Sequence, residues 1–354
     1  MRRWIAYSAG AVVVSLLLSA AYVAKISNPE SHFQKRQLPV LVMPAGANAY
    51  IRSESFPVLS WIRKTGAAPA SAISSAASPT APATDRIAQP AQAVQKKQDN
   101  FNMLIVGTDA RENELSRADV IMVVHVIPSE KRVNVLSIPR DTMVYIQGTG
   151  YTKVNHAHIL GEMKGGNREG TETLLQTVSN FLQVPINYYV KTNFQGFKDL
   201  IDAIGGVDVP IENPIFLRSI GENLPAGLQH FNGDLALGLV RERWAFPEGD
   251  FGRQKEQNKI LKGIAKKVLA PEHVVELAST LAKVKKDLID TNLTDSDMLS
   301  LARLFTGLTD EGFTYLQVQG ESVVQEDPLV HAPLYYWKPD AEQVKGLMKT
   351  YFDQ

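Results

Sequence analysis

Residues 119–141 read Asp-Val-Ile-Met-Val-Val-His-Val-Ile-Pro-Ser-Glu-Lys-Arg-Val-Asn-Val-Leu-Ser-Ile-Pro-Arg-Asp. From Asp119 to Ile127 the run is β-branched and almost unbroken in apolar character, which suits a strand in a β-rich core. Pro128-Ser129-Glu130-Lys131 separates it from a second β-rich run, Arg132 to Ile138, in the manner of a hairpin turn. Pro139 stops that run, so Arg140 and Asp141 fall in a fixed loop and not in a helix interior. Upstream, Phe101 to Val106 is a short apolar run ending at Gly107, a buried strand that delivers Asp109 to its end.

Downstream, helical spacing alternates with strand-like runs. Helices are expected over 172–182, 194–204, 234–240 (with Asn232 as cap), 253–269, 273–288, 295–305 and 341–351. Strands are expected over 187–191, 207–210 and 313–318. The alternation predicts an α/β fold, an α-β-α layered domain on a mixed central sheet.

The N-terminus predicts a second environment. Arg2 and Arg3 precede an uncharged stretch from Trp4 to Ala24, long enough to cross a bilayer as a helix at about 1.5 Å per residue. The arginines keep that end cytoplasmic and place all later residues outside the cell membrane. A cleaved signal peptide is the rival reading, with Ser19-Ala20-Ala21 as the processing site. Residues 28–65 include two apolar pieces, and from Gly66 to Asn100 the Ala/Pro/Ser/Thr composition reads as a spacer. The expected division is therefore 1–27 anchor, 28–100 juxtamembrane segment and linker, and 101–354 working domain. The absence of cysteine excludes disulfides, thiolate metal sites and cysteine nucleophiles. With 37 basic and 37 acidic residues the chain has no global attraction for a polyanion, so no nucleic-acid partner is expected.

Charged signatures carry the chemistry: Gly107-Thr108-Asp109-Ala110-Arg111, Ser116-Arg117-Ala118-Asp119, Ser137-Ile138-Pro139-Arg140-Asp141, Lys153-Val154-Asn155, Arg241-Glu242-Arg243 and Asp250-Phe251-Gly252-Arg253. Arginine forks match phosphate oxygens, and a hard cation between carboxylates takes the remaining charge. Asp109 and Asp119, ten residues apart, could share one such cation; alternatively Asp109 caps a turn and Asp119 pairs with Arg117. Arg241 and Arg243 reach one ligand only if their helix ends near Val240. His156 and His158 read as structural, with no third metal ligand in sight. P-loop, dinucleotide, nucleophile-elbow and zinc-protease patterns are missing from the sequence.

These ordered motifs, with Asp202-Ala203-Ile204-Gly205-Gly206-Val207, resemble the LytR-CpsA-Psr family of bacterial cell-envelope proteins from Asn102 to the C-terminus. The resemblance implies an apolar lipid tunnel between sheet and helices. It further implies transfer of a phosphoglycosyl polymer (teichoic acid, capsule or other wall glycan) from a polyisoprenyl-pyrophosphate carrier to a peptidoglycan hydroxyl. By the same resemblance Asp109 and Asp119 hold magnesium, with manganese as the alternative ion. Arg117, Arg140, Lys153, Arg241, Arg243, Arg253 and Gln257 grip the pyrophosphate, and Asp250 orients or deprotonates the acceptor hydroxyl. Asp119, Arg140 and Asp250 are thus the expected catalytic group. One departure stands out: Glu256 occupies a position where the family commonly has a second arginine. Two rival functions are a lipid-pyrophosphate phosphatase and a non-enzymatic envelope regulator.

Overall fold

The structure of the protein is a computed structural model that describes residues 100–110, 115–268, 289–305 and 308–352. The expected anchor, juxtamembrane segment and linker up to residue 99, Arg111, and the helix expected over 273–288 lie outside the described residues. Among the described residues no helix is long and apolar enough to cross a membrane.

Three strands open the domain: β1 (Phe101–Thr108), β2 (Ala118–Ile127) and β3 (Arg132–Ser137). A 3-10 turn over Pro128–Glu130 joins the last two, as the proline-led turn predicts. A small hairpin follows, β4 (Met143–Ile146) with β5 (Gly150–Lys153), and then α1 (His156–Leu182). The expected helix over 172–182 is only the second half of α1. Gly165 and Gly166 leave helical geometry, with Gly166 at φ 76°, so a kink interrupts the periodicity that the sequence displays.

Next come β6 (Tyr188–Asn193), α2 (Phe194–Ala203), and four short strands, β7 (Val207–Ile211), β8 (Ile215–Leu217), β9 (Glu222–Leu224) and β10 (Gly227–Phe231). Then α3 (Gly233–Arg241) and α4 (Asp250–Val268) carry the second set of motifs. The chain finishes with β11 (Asp290–Thr291), α5 (Asp295–Phe305), β12 (Phe313–Gln317), the hairpin of β13 (Gly320–Glu326) and β14 (Pro333–Pro339), and α6 (Ala341–Tyr351).

The central sheet has the order β11-β6-β1-β2-β3-β12. β1 runs parallel to β6 and β3 parallel to β12, while the other neighbours are antiparallel, so the sheet is mixed as expected. Alternate residues serve opposite faces. Leu104, Val123 and Leu136 pack with Leu174 and Val178 of α1 and Met348 of α6. Met122, Val124 and Val135 pack on the other side with Leu293 and Met298. Helices on both faces explain why β2 reads as a continuous apolar run. A separate cluster around Ile201, Val209, Phe231, Leu239 and Ile260 joins α2, α3 and α4 to the β7–β10 region.

Candidate active site

An apolar cavity of about 480 Å³ lies between the sheet and α2, α3, α4 and α5. Met103 and Met122 line its sheet side, and Leu200, Leu237, Leu261 and Met298 line its helical side. Its polar lining includes Asp119, Arg140, Arg241, Arg243, Arg253 and Gln257. Four guanidinium groups against one carboxylate leave an excess of positive charge among these residues. A ligand with a long apolar part and an anionic head matches that lining.

Local structure places each of these groups. In the β1–β2 ladder Gly107 faces Val120 but Thr108 faces Ala118, so Asp119 is the extra residue of a β-bulge. Bulges re-aim side chains beside sites, and Asp119 lines the cavity from one. Its Oδ1 accepts from Arg140 Nη1 at 2.6 Å. Arg140 follows Pro139, and its backbone carbonyl accepts from the Asn155 N–H, which ties the two motif loops together. In place of the alternative reading, a surface pair of Asp119 with Arg117, the structure pairs Asp119 with Arg140.

α3 ends at Arg241, and Glu242 is already extended at ψ 135°, so Arg241 and Arg243 escape the divergence of a continuous helix. Arg241 stacks over the Phe194 ring at 4.5 Å, a cation–π contact. Glu242 is 4 % exposed and accepts from four backbone N–H groups, those of Arg243, Trp244, Ala245 and Arg218. Burial alone would raise its carboxyl, but these four bonds outweigh burial and hold it below the usual glutamate range.

α4 begins at Asp250, earlier than the expected Arg253, and this brings Asp250 and Arg253 together as an i, i+3 pair at 2.8 Å. Arg243 Nε is 3.6 Å from the same Asp250 oxygen. Gln257 donates to the Val240 carbonyl at 3.0 Å and so joins α4 to the end of α3. Burial pushes the Arg253 guanidinium down, and Arg140 and Arg243 add to this against the pull of Asp250. Burial acts the same way on Arg140, yet Asp119 outweighs it and holds Arg140 above its ordinary value. Both remain cations at any physiological pH. The Nε atoms of Arg140 and Arg253 are buried without a hydrogen-bond partner, and that of Arg140 lies 3.8 Å from Asp141 Oδ2.

Four expected site residues do not line the cavity. Asp109 accepts the Arg117 backbone N–H at 2.6 Å and donates its own N–H to the Arg117 carbonyl, closing the loop before the bulge, while the Arg117 residue itself is exposed. Lys153 is held by Asp141 at 2.7 Å, and Asp141 also lies 3.8 Å from Arg140. Asp250 holds the two arginines beside the cavity wall. Glu256, at the departing position, pairs with Lys259 at 2.8 Å, and Lys259 also reaches Glu212. It takes no part in the cavity lining. The two histidines diverge: His156 bonds Thr152 at 2.8 Å, whereas His158 is buried against Ser116 and Lys191. Among the described residues no group of three histidine or carboxylate side chains assembles as a metal cluster. One oxygen of each expected metal ligand is already taken, Asp109 Oδ1 by the Arg117 N–H and Asp119 Oδ1 by Arg140, so a cation there would draw most of its shell from ligand oxygens, as magnesium commonly does.

Sequence reasoning gave no role to Asp141, Glu242 or Phe194. The first two were visible inside the motifs, next to the arginines they serve. Phe194 had no signal beyond its position after a strand end.

The model of the LytR_cpsA_psr family matches residues 67–352. A polyisoprenyl-teichoic acid–peptidoglycan teichoic acid transferase TagU of Bacillus cereus is 35% identical over 260 residues, covering 73% of this chain and 80% of that protein. The crystal structure of B. subtilis TagV superposes with a TM-score of 0.61 at 31% identity, covering 71% of this chain and 95% of the other. TagT bound to LI-WTA superposes with a TM-score of 0.57 at 27% identity, covering 71% and 88%. The chain belongs to the LytR-CpsA-Psr family.

Proposed function

We propose that this member of the LytR-CpsA-Psr family transfers a phosphoglycosyl polymer from a polyisoprenyl-pyrophosphate carrier to a peptidoglycan hydroxyl. The observation that carries the reading is a cavity of about 480 Å³ that is apolar over most of its lining and bears Arg140, Arg241, Arg243 and Arg253 together. The lipid occupies the apolar part and the pyrophosphate meets the arginines. The relatives' names, teichoic acid transferases acting on peptidoglycan, support the same donor and acceptor. The chain is held in the cell membrane by its N-terminal segment, with the catalytic domain outside.

In the reaction the acceptor hydroxyl oxygen attacks the phosphorus nearest the glycan. A new P–O bond forms, the bond from that phosphorus to the bridging oxygen breaks, and polyisoprenyl phosphate leaves. The hydroxyl proton passes to the Asp250 carboxylate. Arg140 and Arg253 meet the pyrophosphate from the cavity wall, and Arg241 and Arg243 hold the departing phosphate from the α3 side. Positioning and charge neutralisation of this kind are the main demands of phosphoryl transfer. Magnesium, with manganese as the alternative, would be held by Asp109 and Asp119 and would offset charge on the pyrophosphate.

The test is incubation of the full-length protein with magnesium, a lipid-pyrophosphate glycan and peptidoglycan oligomers, followed by mass spectrometry. A covalent adduct is expected. Free phosphorylated glycan alone, with oligomers present, would make the protein a phosphatase.

A further inference from the structure

The hairpin of β13 and β14 presents an outer face that the reaction above does not use. Ser322 lies opposite Trp337 and Val324 opposite Tyr335, so these four side chains share one face of the ribbon. Val324 is 70% and Tyr335 45% exposed, whereas Tyr336, on the opposite face, is fully buried.

One end of this face is fixed to the site. The Trp337 backbone N–H donates to the Asp141 carbonyl at 2.9 Å, directly after Arg140. The Trp337 ring packs edge-on against Phe251 at 4.8 Å, beside Asp250. Its indole N–H donates to the Val318 carbonyl at 3.1 Å, which orients the ring. At the other end, buried Asp327 accepts from the Leu329 and Val330 N–H groups and from the Thr152 hydroxyl, which holds the turn. The hairpin touches both motif loops and contributes no residue to the cavity lining.

We propose that this face is the acceptor platform, on which pyranose rings of the peptidoglycan glycan strand stack against Tyr335 and the free edge of Trp337. The inference rests on the transfer reading above. The lipid fills the cavity, so the acceptor must approach from elsewhere, and the hairpin adjoins Asp250 and Arg140 from outside the cavity. Aromatic rings offer a flat apolar surface with polar edges, and the Ser322 and Tyr335 hydroxyls, 3.3 Å apart, supply the hydrogen-bonding rim. The ribbon's charges favour an uncharged sugar chain over an anionic lipid surface: exposed Glu321 and Glu326 outnumber Lys338, and an anionic surface would call for clustered lysine and arginine.

The experiment titrates a lipid-free peptidoglycan oligosaccharide into the full-length protein and follows tryptophan fluorescence. Saturable binding is expected for the wild type, weakened about tenfold by Tyr335→Ala and similarly by Val324→Ser. Leu329→Ser, on the distal turn, serves as the control and binds as the wild type does. No binding, or equal binding by wild type and Tyr335→Ala, overturns the platform, as does binding to phosphatidylglycerol vesicles in place of the sugar. The titration does not use the donor, so its outcome is independent of whether the transfer assay yields an adduct.

Discussion

Arg140 Nη1 lies 2.6 Å from Asp119 Oδ1, joining the loop after Pro139 to a carboxylate displaced by a β-bulge. Both side chains are less than a third exposed, at 27% and 19%. The pair therefore sets a fixed charge geometry at the cavity wall, with Arg253 Nη2 reaching the Asp119 carbonyl at 3.4 Å.

Asp119→Ala and Arg140→Ala should each lower turnover by about 100- to 1,000-fold, as loss of one positioned stabilising group commonly does. Melting temperature should move by no more than about 3 °C, roughly 1 kcal/mol for a domain of this size. Thermal denaturation beside the transfer assay checks both. A drop of about 10 °C would make the pair a structural element instead.

The cavity makes a separate prediction. Ala302 lies in its lining and is 4% exposed. Ala302→Phe should fold, because the added ring enters open space, and should raise KM for a long-lipid donor about tenfold or more. A donor with a very short lipid should lose much less. Equal losses for both donors would place the lipid elsewhere.

Glu242 should behave as a positioning residue. Glu242→Ala strands four backbone N–H groups around the arginine-bearing turn, at a cost of about 2–4 kcal/mol in urea unfolding. Glu242→Gln keeps one acceptor oxygen and should recover part of it. Because its carboxyl is held low in the fold, the stability it supplies is present above the ordinary glutamate range and lost as pH falls through the depressed value. The acid limb of a stability–pH curve below about pH 4.5 should be shallower for Glu242→Gln than for the wild type. An unchanged limb would count against this role.

Much of the layered domain was legible because long apolar runs with turn punctuation define β1, β2 and β3, and helical spacing defines α6. The first half of α1 was not, since the Gly165–Gly166 kink masks its period. The β13–β14 hairpin was missed because Glu, Gln and Ser interrupt its apolar residues on an exposed ribbon. Motif order named the arginines that meet at the cavity, but nothing in residue spacing reveals a bulge, so the reason Asp119 faces Arg140 and not Arg117 is a property of strand register. The start of α4 at Asp250 was also hidden, as the Asp-Phe-Gly string has weak helical propensity.

His125 gives a second pH prediction. Burial, with Arg132 nearby, pushes its imidazole down to about 4, and its Nδ1 is bonded to Asn102 at 2.8 Å. The unfolded chain binds that proton near pH 6.5, so stability should fall as pH drops from about 6.5 to about 4, by up to roughly 3 kcal/mol from this group. His156 and His158 are lowered by burial as well and add to the slope. His125→Gln should flatten part of it in urea titrations between pH 4 and 7. An identical slope would show that His125 does not carry the effect.

The most direct test of the central claim uses a peptidoglycan oligomer labelled with ¹⁸O at its acceptor hydroxyl, a lipid-pyrophosphate glycan donor and magnesium, with products read by mass spectrometry. The account predicts an adduct that carries one phosphate, retains the label in the new P–O bond, and is lost in Asp119→Ala. An adduct without phosphate would mean attack at the sugar carbon, and free phosphorylated glycan without adduct would mean hydrolysis; either result contradicts it.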